Sequence, residues 1–321
     1  MRPVLSAAVT VCCVFAVAAP AAAASIPVDL RVEGASGRAL TADRYLTDST
    51  KVKTAKQPPN CNGSGKTKKL AGATALGTLV DGALVNHRLD PLLVSDEFSF
   101  GLLVCGVGGD NSGGSSSYWL YKVNHVSPEV GADAFAVKPS DDVLWYFVNG
   151  TLNSGDELEL GAPPRVRPGQ QFDATVFAYD FAGVRRPVQG ATVAGGGASA
   201  TTDASGVAHL TLNRTGNRTL RATLDPNIPS APTKVCVNAN LSKCAAARGS
   251  RIWGSRRAEA ITGTAGRDTV RAGAGDDVVR VRRGSVDRVR CGRGHDTVIA
   301  GLRDRVARDC ERVRVRVRAR Q

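Results

Sequence analysis

The chain has little of what enzymes and membrane proteins are usually built around. Of 321 residues only 5% are aromatic, four are histidine and one is methionine, and no C-x-x-C pair occurs. His87, His125, His209 and His295 fall in separate segments, and none has a partner at the spacing of a metal site or a catalytic triad. Ser115, Ser116 and Ser117 lack the setting of a nucleophile elbow. The chain therefore reads as a non-enzyme, and its thiols do not read as a zinc site. Long helical periodicities are scarce while glycine is high, at 35, so a mainly β, multidomain and loop-rich architecture is expected.

Long apolar runs are also missing, except at the N-terminus. Arg2 precedes the run Val4 to Val17, followed by Pro20 and the small residues Ala21 to Ala24. That is a signal peptide over 1–24, with cleavage expected before Ser25; a retained anchor is the competing reading. The expected location is extracellular or at the cell surface, with no transmembrane segment in the mature chain. Removal of the leader leaves Cys61, Cys105, Cys236, Cys244, Cys291 and Cys310. They fall two by two in three segments, which predicts Cys61 with Cys105, Cys236 with Cys244 and Cys291 with Cys310 as disulfides.

The scarce aromatics concentrate between Tyr118 and Phe147, which reads as two alternating strands around turns at Pro128, Gly131 and Pro139–Asp142. Upstream, Ile26 to Ala35 reads as a strand, Arg38 to Lys56 as a second, polar strand pair, and Ala73 to Leu84 as one helix. Phe98 to Val107 reads as a strand carrying Cys105. The sequence GSGKT at Gly63 to Thr67 imitates a phosphate-binding loop, but Asn60 stands at the first glycine and no apolar strand precedes it, so no nucleotide is expected. Tyr118, Trp119, Asn124 and Trp145 are the candidate ligand contacts, against the plainer reading that both tryptophans are core.

The aromatic strand, the Gly-Ala-Asp turn and the strand PSDDVLWY resemble the transcobalamin-like C-terminal family, domain of unknown function 4430. The resemblance implies a β-grasp-like α+β head with one helix over 25–160. It also implies kinship with the half of vitamin B12 carriers that closes over the ligand, hence a corrinoid scavenger as an alternative function. The α/α barrel of such carriers is absent from the sequence, which counts against full sequestration.

After GAPPRVRP, a proline-marked linker at 161–168, short strands follow at close spacing over 161–247, the pattern of a β-sandwich. The TTDASG turn within it resembles bacterial immunoglobulin-like modules, which implies a spacer.

The last segment, 248–321, holds twenty arginines, no lysine and nine acids, so it carries +11 of the net +13. It repeats with a period of nine: GSRRAEAIT, GTAGRDTVR, AGAGDDVVR and CGRGHDTVI, with the copy VRRGSVDRVR one residue too long. An acid sits sixth and a branched apolar residue eighth in each regular copy. This resembles the haemolysin-type (RTX) nonapeptide, which implies a short parallel β-roll and Ca²⁺, with Asp268, Asp277, Asp287 and Asp296 as the metal ligands; no other cofactor is implied. Glu259 in place of Asp, the displaced Asp287 and the high positive charge depart from the family pattern. The end, ERVRVRVRARQ, presents a cationic face suited to an anionic cell-envelope polymer. Three separately folding units with separate tasks are expected: a binding head, a spacer and an envelope-associated roll. A structural adhesin without a small-molecule ligand is the other alternative.

Overall fold

The computed structural model describes residues 25–35, 37–48, 51–56, 61–70, 72–99, 101–244, 249–281 and 286–315. The expected leader and the last six residues of the alternating Val-Arg end lie outside them. The chain is mainly β, as its composition predicts, with one α-helix among the described residues.

The central element is an eight-stranded sheet. From one edge it runs Ser117–Val123, Asp142–Asn149, Ile26–Glu33, Ala39–Thr47, Arg251–Trp253, Thr269–Ala274, Arg288–Arg293 and Arg305–Val306. The aromatic hairpin forms as expected, and its register sets Trp119 opposite Phe147 and Tyr121 opposite Trp145. The helix, Ala75–Val85, starts where Thr74 Oγ1 accepts from the N–H of Gly77 at 3.0 Å. It lies close on the sheet because Gly82 has no side chain: a Cβ there would stand 2.9 Å from Leu30 Cδ2. Leu76 and Leu79 meet Leu30, Trp119 and Trp145 in one core.

Two local expectations need correction. The Cys105 strand is Leu103–Val107 rather than Phe98 to Val107, since Gly101 at φ +126° breaks the extended run and Phe98 is left exposed. Arg38 to Lys56 does not pair with itself. Ala39–Thr47 pairs with Ile26–Glu33, and Lys51–Lys53 joins Thr67–Lys69 in a separate ribbon.

A second pair of sheets encloses its own core, with Leu158, Phe172, Val176 and Leu210 facing Val193, Leu220 and Val235. Its first strand, Glu157–Gly161, precedes the proline-marked stretch and pairs with Gln171–Tyr179. In the TTDASG turn, Asp203 Oδ1 accepts from the N–H groups of Ser205 and Val207.

The arginine-rich segment is a parallel roll of two sheets. The second is Ala260–Thr262, Val278–Arg280, Thr297–Ala300 and Arg312–Val315. Two nonapeptides make one turn, so Ile261, Val270, Val279, Val289 and Val298 come alternately from the two sheets and fill the shared core. All three expected disulfides are present, Cys61–Cys105, Cys236–Cys244 and Cys291–Cys310.

The three units are joined more intimately than the sequence suggests. Arg251–Trp253 adds in parallel to Ala39–Thr47, so the roll extends the head's own sheet. Leu46 of the head is buried in the roll core, and the rings of Tyr45 and Trp253 stack with centroids 6.1 Å apart. On the other side, Leu144, Tyr146 and Val148 pack with Ile228 of the second unit, and a buried Arg31–Glu157 ion pair crosses the same boundary. The physical reason lies in the edges: each unit alone would leave a strand edge or an apolar sheet face open to water.

Candidate functional site

The nonapeptide acids form two carboxylate ladders inside the roll. On one side, Oδ1 of Asp268 accepts from Ser250 N–H at 2.8 Å, Oδ1 of Asp287 from Asp268 N–H at 2.8 Å, and Oδ1 of Asp304 from Asp287 N–H at 3.0 Å. On the other, Asp277 Oδ1 accepts from Glu259 N–H, Asp296 Oδ1 from Asp277 N–H, and Glu311 Oε2 from Asp296 N–H. Each carboxylate thus caps the residue one full turn earlier, which is itself an acid in every case but Ser250. The turn backbone has N–H groups that the parallel ladder cannot satisfy, and a short carboxylate at the sixth position reaches them. Asp287 keeps this register despite the extra residue in its copy, since Val270 and Val289 remain side by side.

The four expected ligands are not equivalent. Asp268 is filled by the protein itself, because Thr264 donates from its backbone to Oδ2 and from its hydroxyl to Oδ1, both at 2.6 Å. Asp277, Asp287 and Asp296 are equally buried, yet among the described residues their Oδ2 atoms have no donor, and neither has Oε1 of Glu259. Burial first, and then the charges of Glu259, Asp296 and Asp276, push the Asp277 carboxyl up to about 8. Burial likewise raises Asp287 to about 6, and it raises Asp296 and Glu259. A buried carboxyl oxygen of this kind, once ionised, fits a hard cation, which takes six to eight oxygens. Among the described residues no three acid, histidine or cysteine side chains converge on one point, so the rest of such a shell falls to backbone carbonyls and water.

Residues 253–285 match the family described as RTX calcium-binding nonapeptide repeat (4 copies). Residues 94–149 match the domain of unknown function DUF4430. No curated protein matches the chain. RTX repeats bind calcium, and together with three disulfides they suggest an extracellular chain. Neither matched family is enzymatic. Among the described residues no helix is long and apolar enough to cross a membrane.

The DUF4430 match ends on the aromatic hairpin, and the candidate contacts there do not gather into one site. Trp119 and Trp145 are 3% and 2% exposed, on the core face, with their indole N–H groups donating to the carbonyls of Asp110 and Ala75. Tyr118 is exposed, on the opposite face. Asn124, at φ 50°, donates to Asp141 Oδ1 and accepts from the N–H of Asp142, closing the turn. The plainer reading of both tryptophans as core is the one the packing carries. In the GSGKT loop, Ser64 donates from its N–H and its hydroxyl to Asp96, which also pairs with Lys68 at 3.0 Å.

Two polar clusters escaped the sequence reading. Glu157 lies buried between Arg31 and His125, whose Nδ1 stands 3.1 Å from Oε2, and the His125 ring stacks on Tyr179. Burial opposes its charge, but His125, Arg31 and Lys122 hold its carboxyl below the usual range. At the junction of head and roll, burial raises Asp81 to about 7, beside Thr47 and Asp48, and Asp48 pairs with Arg257 at 2.7 Å. The partners in these clusters are separated by up to 209 positions, so no local pattern announces them.

Proposed function

We propose that this chain is an extracellular, non-enzymatic binding protein whose calcium-loaded, arginine-faced roll is built into the head and associates with an anionic polymer of the cell envelope. The reading is carried by the buried oxygens of Asp277, Asp287 and Asp296 that no donor among the described residues reaches. A divalent ion supplies the positive charge that lets such acids stay ionised in the interior. The protein's own part is to hold one oxygen of each acid with a backbone N–H and turn the other free. Binding to the folded form alone stabilises it by about 2.7 kcal/mol when free calcium is roughly 100 times its dissociation constant. Export depends on the leader at 1–24, so the mature chain starts at Ser25.

The test is calorimetry of the mature protein with Ca²⁺, beside a variant carrying Asp277→Asn, Asp287→Asn and Asp296→Asn. Heat of binding and a calcium-dependent rise in Tm are expected for the parent and absent from the variant. A parent protein that gives neither removes the metal from the reading.

A further inference from the structure

The roll's first sheet has an outer face as well as a core face. Ile252, Val270 and Val289 point into the core, so Arg251, Trp253, Arg271, Arg288 and Arg290 point out, and Arg305 continues the row. Arg271 stands beside Arg290, and Arg288 beside Arg305, on adjacent parallel strands. All four are exposed, and among the described residues none has an acidic side chain in ion-pair contact. Neighbouring strands are about 4.8 Å apart, so the face is a cationic strip with one step per rung.

Where the strip meets the head it enters a cleft of about 480 Å³. Arg88 from the turn after the helix, Lys234 from the second unit, and Arg251 and Arg271 from the roll line it. The acid lining it, Asp43, is already engaged by Arg251 at 3.1 Å and by the Trp253 indole N–H at 3.1 Å. Three parts of the chain thus bring cations to one concavity, and Arg88 and Lys234 keep theirs free of any ion pair among the described residues.

We infer that this cleft and strip form the docking site of a linear acidic polysaccharide bearing one carboxylate per sugar, with its end in the cleft and its chain running across the strands along the roll axis. The inference rests on the reading of the roll as a binder of an anionic polymer and names the face and the polymer. Guanidinium forks pair with carboxylates through two parallel hydrogen bonds. The strip offers guanidinium groups on successive rungs, about 4.8 Å apart, so a chain with a carboxylate on every sugar can be gripped repeatedly along the roll axis. A nucleic-acid duplex fits poorly: the strip is two outward residues wide, roughly 7 Å, against a major groove of about 12 Å. Single-stranded nucleic acid is gripped by aromatic rings on which bases stack. The ring available, Trp253, is taken: Tyr45 lies parallel to it and the Arg271 guanidinium sits over it, 4.6 Å from the ring centroid.

The experiment measures binding of short oligogalacturonates, too short to gel with calcium, to the full mature chain in Ca²⁺ buffer. A strip variant carries Arg271→Gln, Arg288→Gln and Arg290→Gln. A charge-matched control carries Arg280→Gln, Arg312→Gln and Arg314→Gln on the other sheet, and all six positions are exposed. The strip variant is expected to weaken binding about tenfold or more and the control about twofold or less, with both losses shrinking at high salt. Equal losses in the two variants overturn the choice of face while leaving an anionic partner in place. Binding of a single-stranded oligonucleotide but not of oligogalacturonate overturns the choice of polymer. No binding to either ends both the inference and the anionic-polymer reading, whatever the calcium calorimetry gives.

Discussion

Asp277 donates its backbone N–H to Oδ1 of Asp296, one turn of the roll further on, at 2.8 Å, while Oδ2 of Asp277 itself is buried with no donor among the described residues. The same residue that is satisfied through its backbone is unsatisfied through its side chain. Its carboxyl is raised to about 8, far above an ordinary aspartate, which is near 3.9 in an unfolded chain. A folded value above the unfolded one means that the folded form holds its proton more tightly. The contribution to stability is complete below about pH 4 and is lost as pH rises towards 8. In EDTA the protein should therefore melt lower at pH 8 than at pH 5, and Asp277→Asn should flatten that slope and raise Tm at pH 8. With calcium the order reverses, because the variant can no longer offer an anionic oxygen. Melting curves at both pH values, with and without calcium, decide it; a variant less stable than the parent in EDTA at pH 8 would refute the account.

His125 sits with positive φ in the turn after its strand and faces Glu157 across the boundary between head and second unit. Pairing with Glu157 raises its pKa, against burial. A raised histidine contributes stability that is whole below its unfolded value, near 6.5, and disappears as pH climbs through the folded one. His125→Phe keeps the stacking on Tyr179 and removes the charge, so it should cost about 1 kcal/mol or more at pH 6 and less at pH 9. Urea denaturation at the two pH values measures the difference. An equal cost at both would mean that the ring matters here and its charge does not.

Gly82 is the point where the helix approaches Leu30 and Leu89, which a Cβ would meet at 2.9 and 3.1 Å. Alanine is favoured over glycine in a free helix by about 1 kcal/mol. Here overpacking against two buried leucines should win, with a net loss of about 1–3 kcal/mol for Gly82→Ala. If denaturation finds the variant more stable than the parent, the helix is less tightly seated than described.

What could be read beforehand followed from periodicity. The alternation at Trp119, Tyr121, Trp145 and Phe147 gave the hairpin, and the nine-residue spacing of Ile261, Val270 and Val279, with Val298 beyond the longer copy, gave the roll and its core. Cysteines falling two by two in three segments gave the disulfides. Contacts between units were hidden, because the residues that make them look ordinary where they stand. Leu46 reads as the end of a polar strand, and only the addition of Arg251–Trp253 beside it puts it inside the roll. The candidate site was half legible. Spacing singled out Asp268, Asp277, Asp287 and Asp296, but only the fold reveals that Thr264 fills Asp268, while the other three lack a donor among the described residues.

The shared sheet makes a last prediction. Ala39–Thr47 is paired on both sides, with Ile26–Glu33 and with Arg251–Trp253, and the roll covers Leu46. A chain ending after Cys244 would keep the first two cores and two of the disulfides but would open that strand to solvent. The new edge is long, and it exposes Leu46 and one face of Tyr45, whose stacking partner is gone. Such an edge is a template for pairing with another copy. The truncated protein should therefore self-associate in a concentration-dependent way on size-exclusion chromatography with light scattering. Arg44 and Asp43 on the same strand are too few to repel a copy, because one is already paired with Asp29 and the other loses Arg251. Leu46→Lys in the truncated chain should restore the monomer by placing a charge on the bare edge. A truncated protein that stays monomeric without that change would mean the roll is an appendage rather than part of the head's sheet.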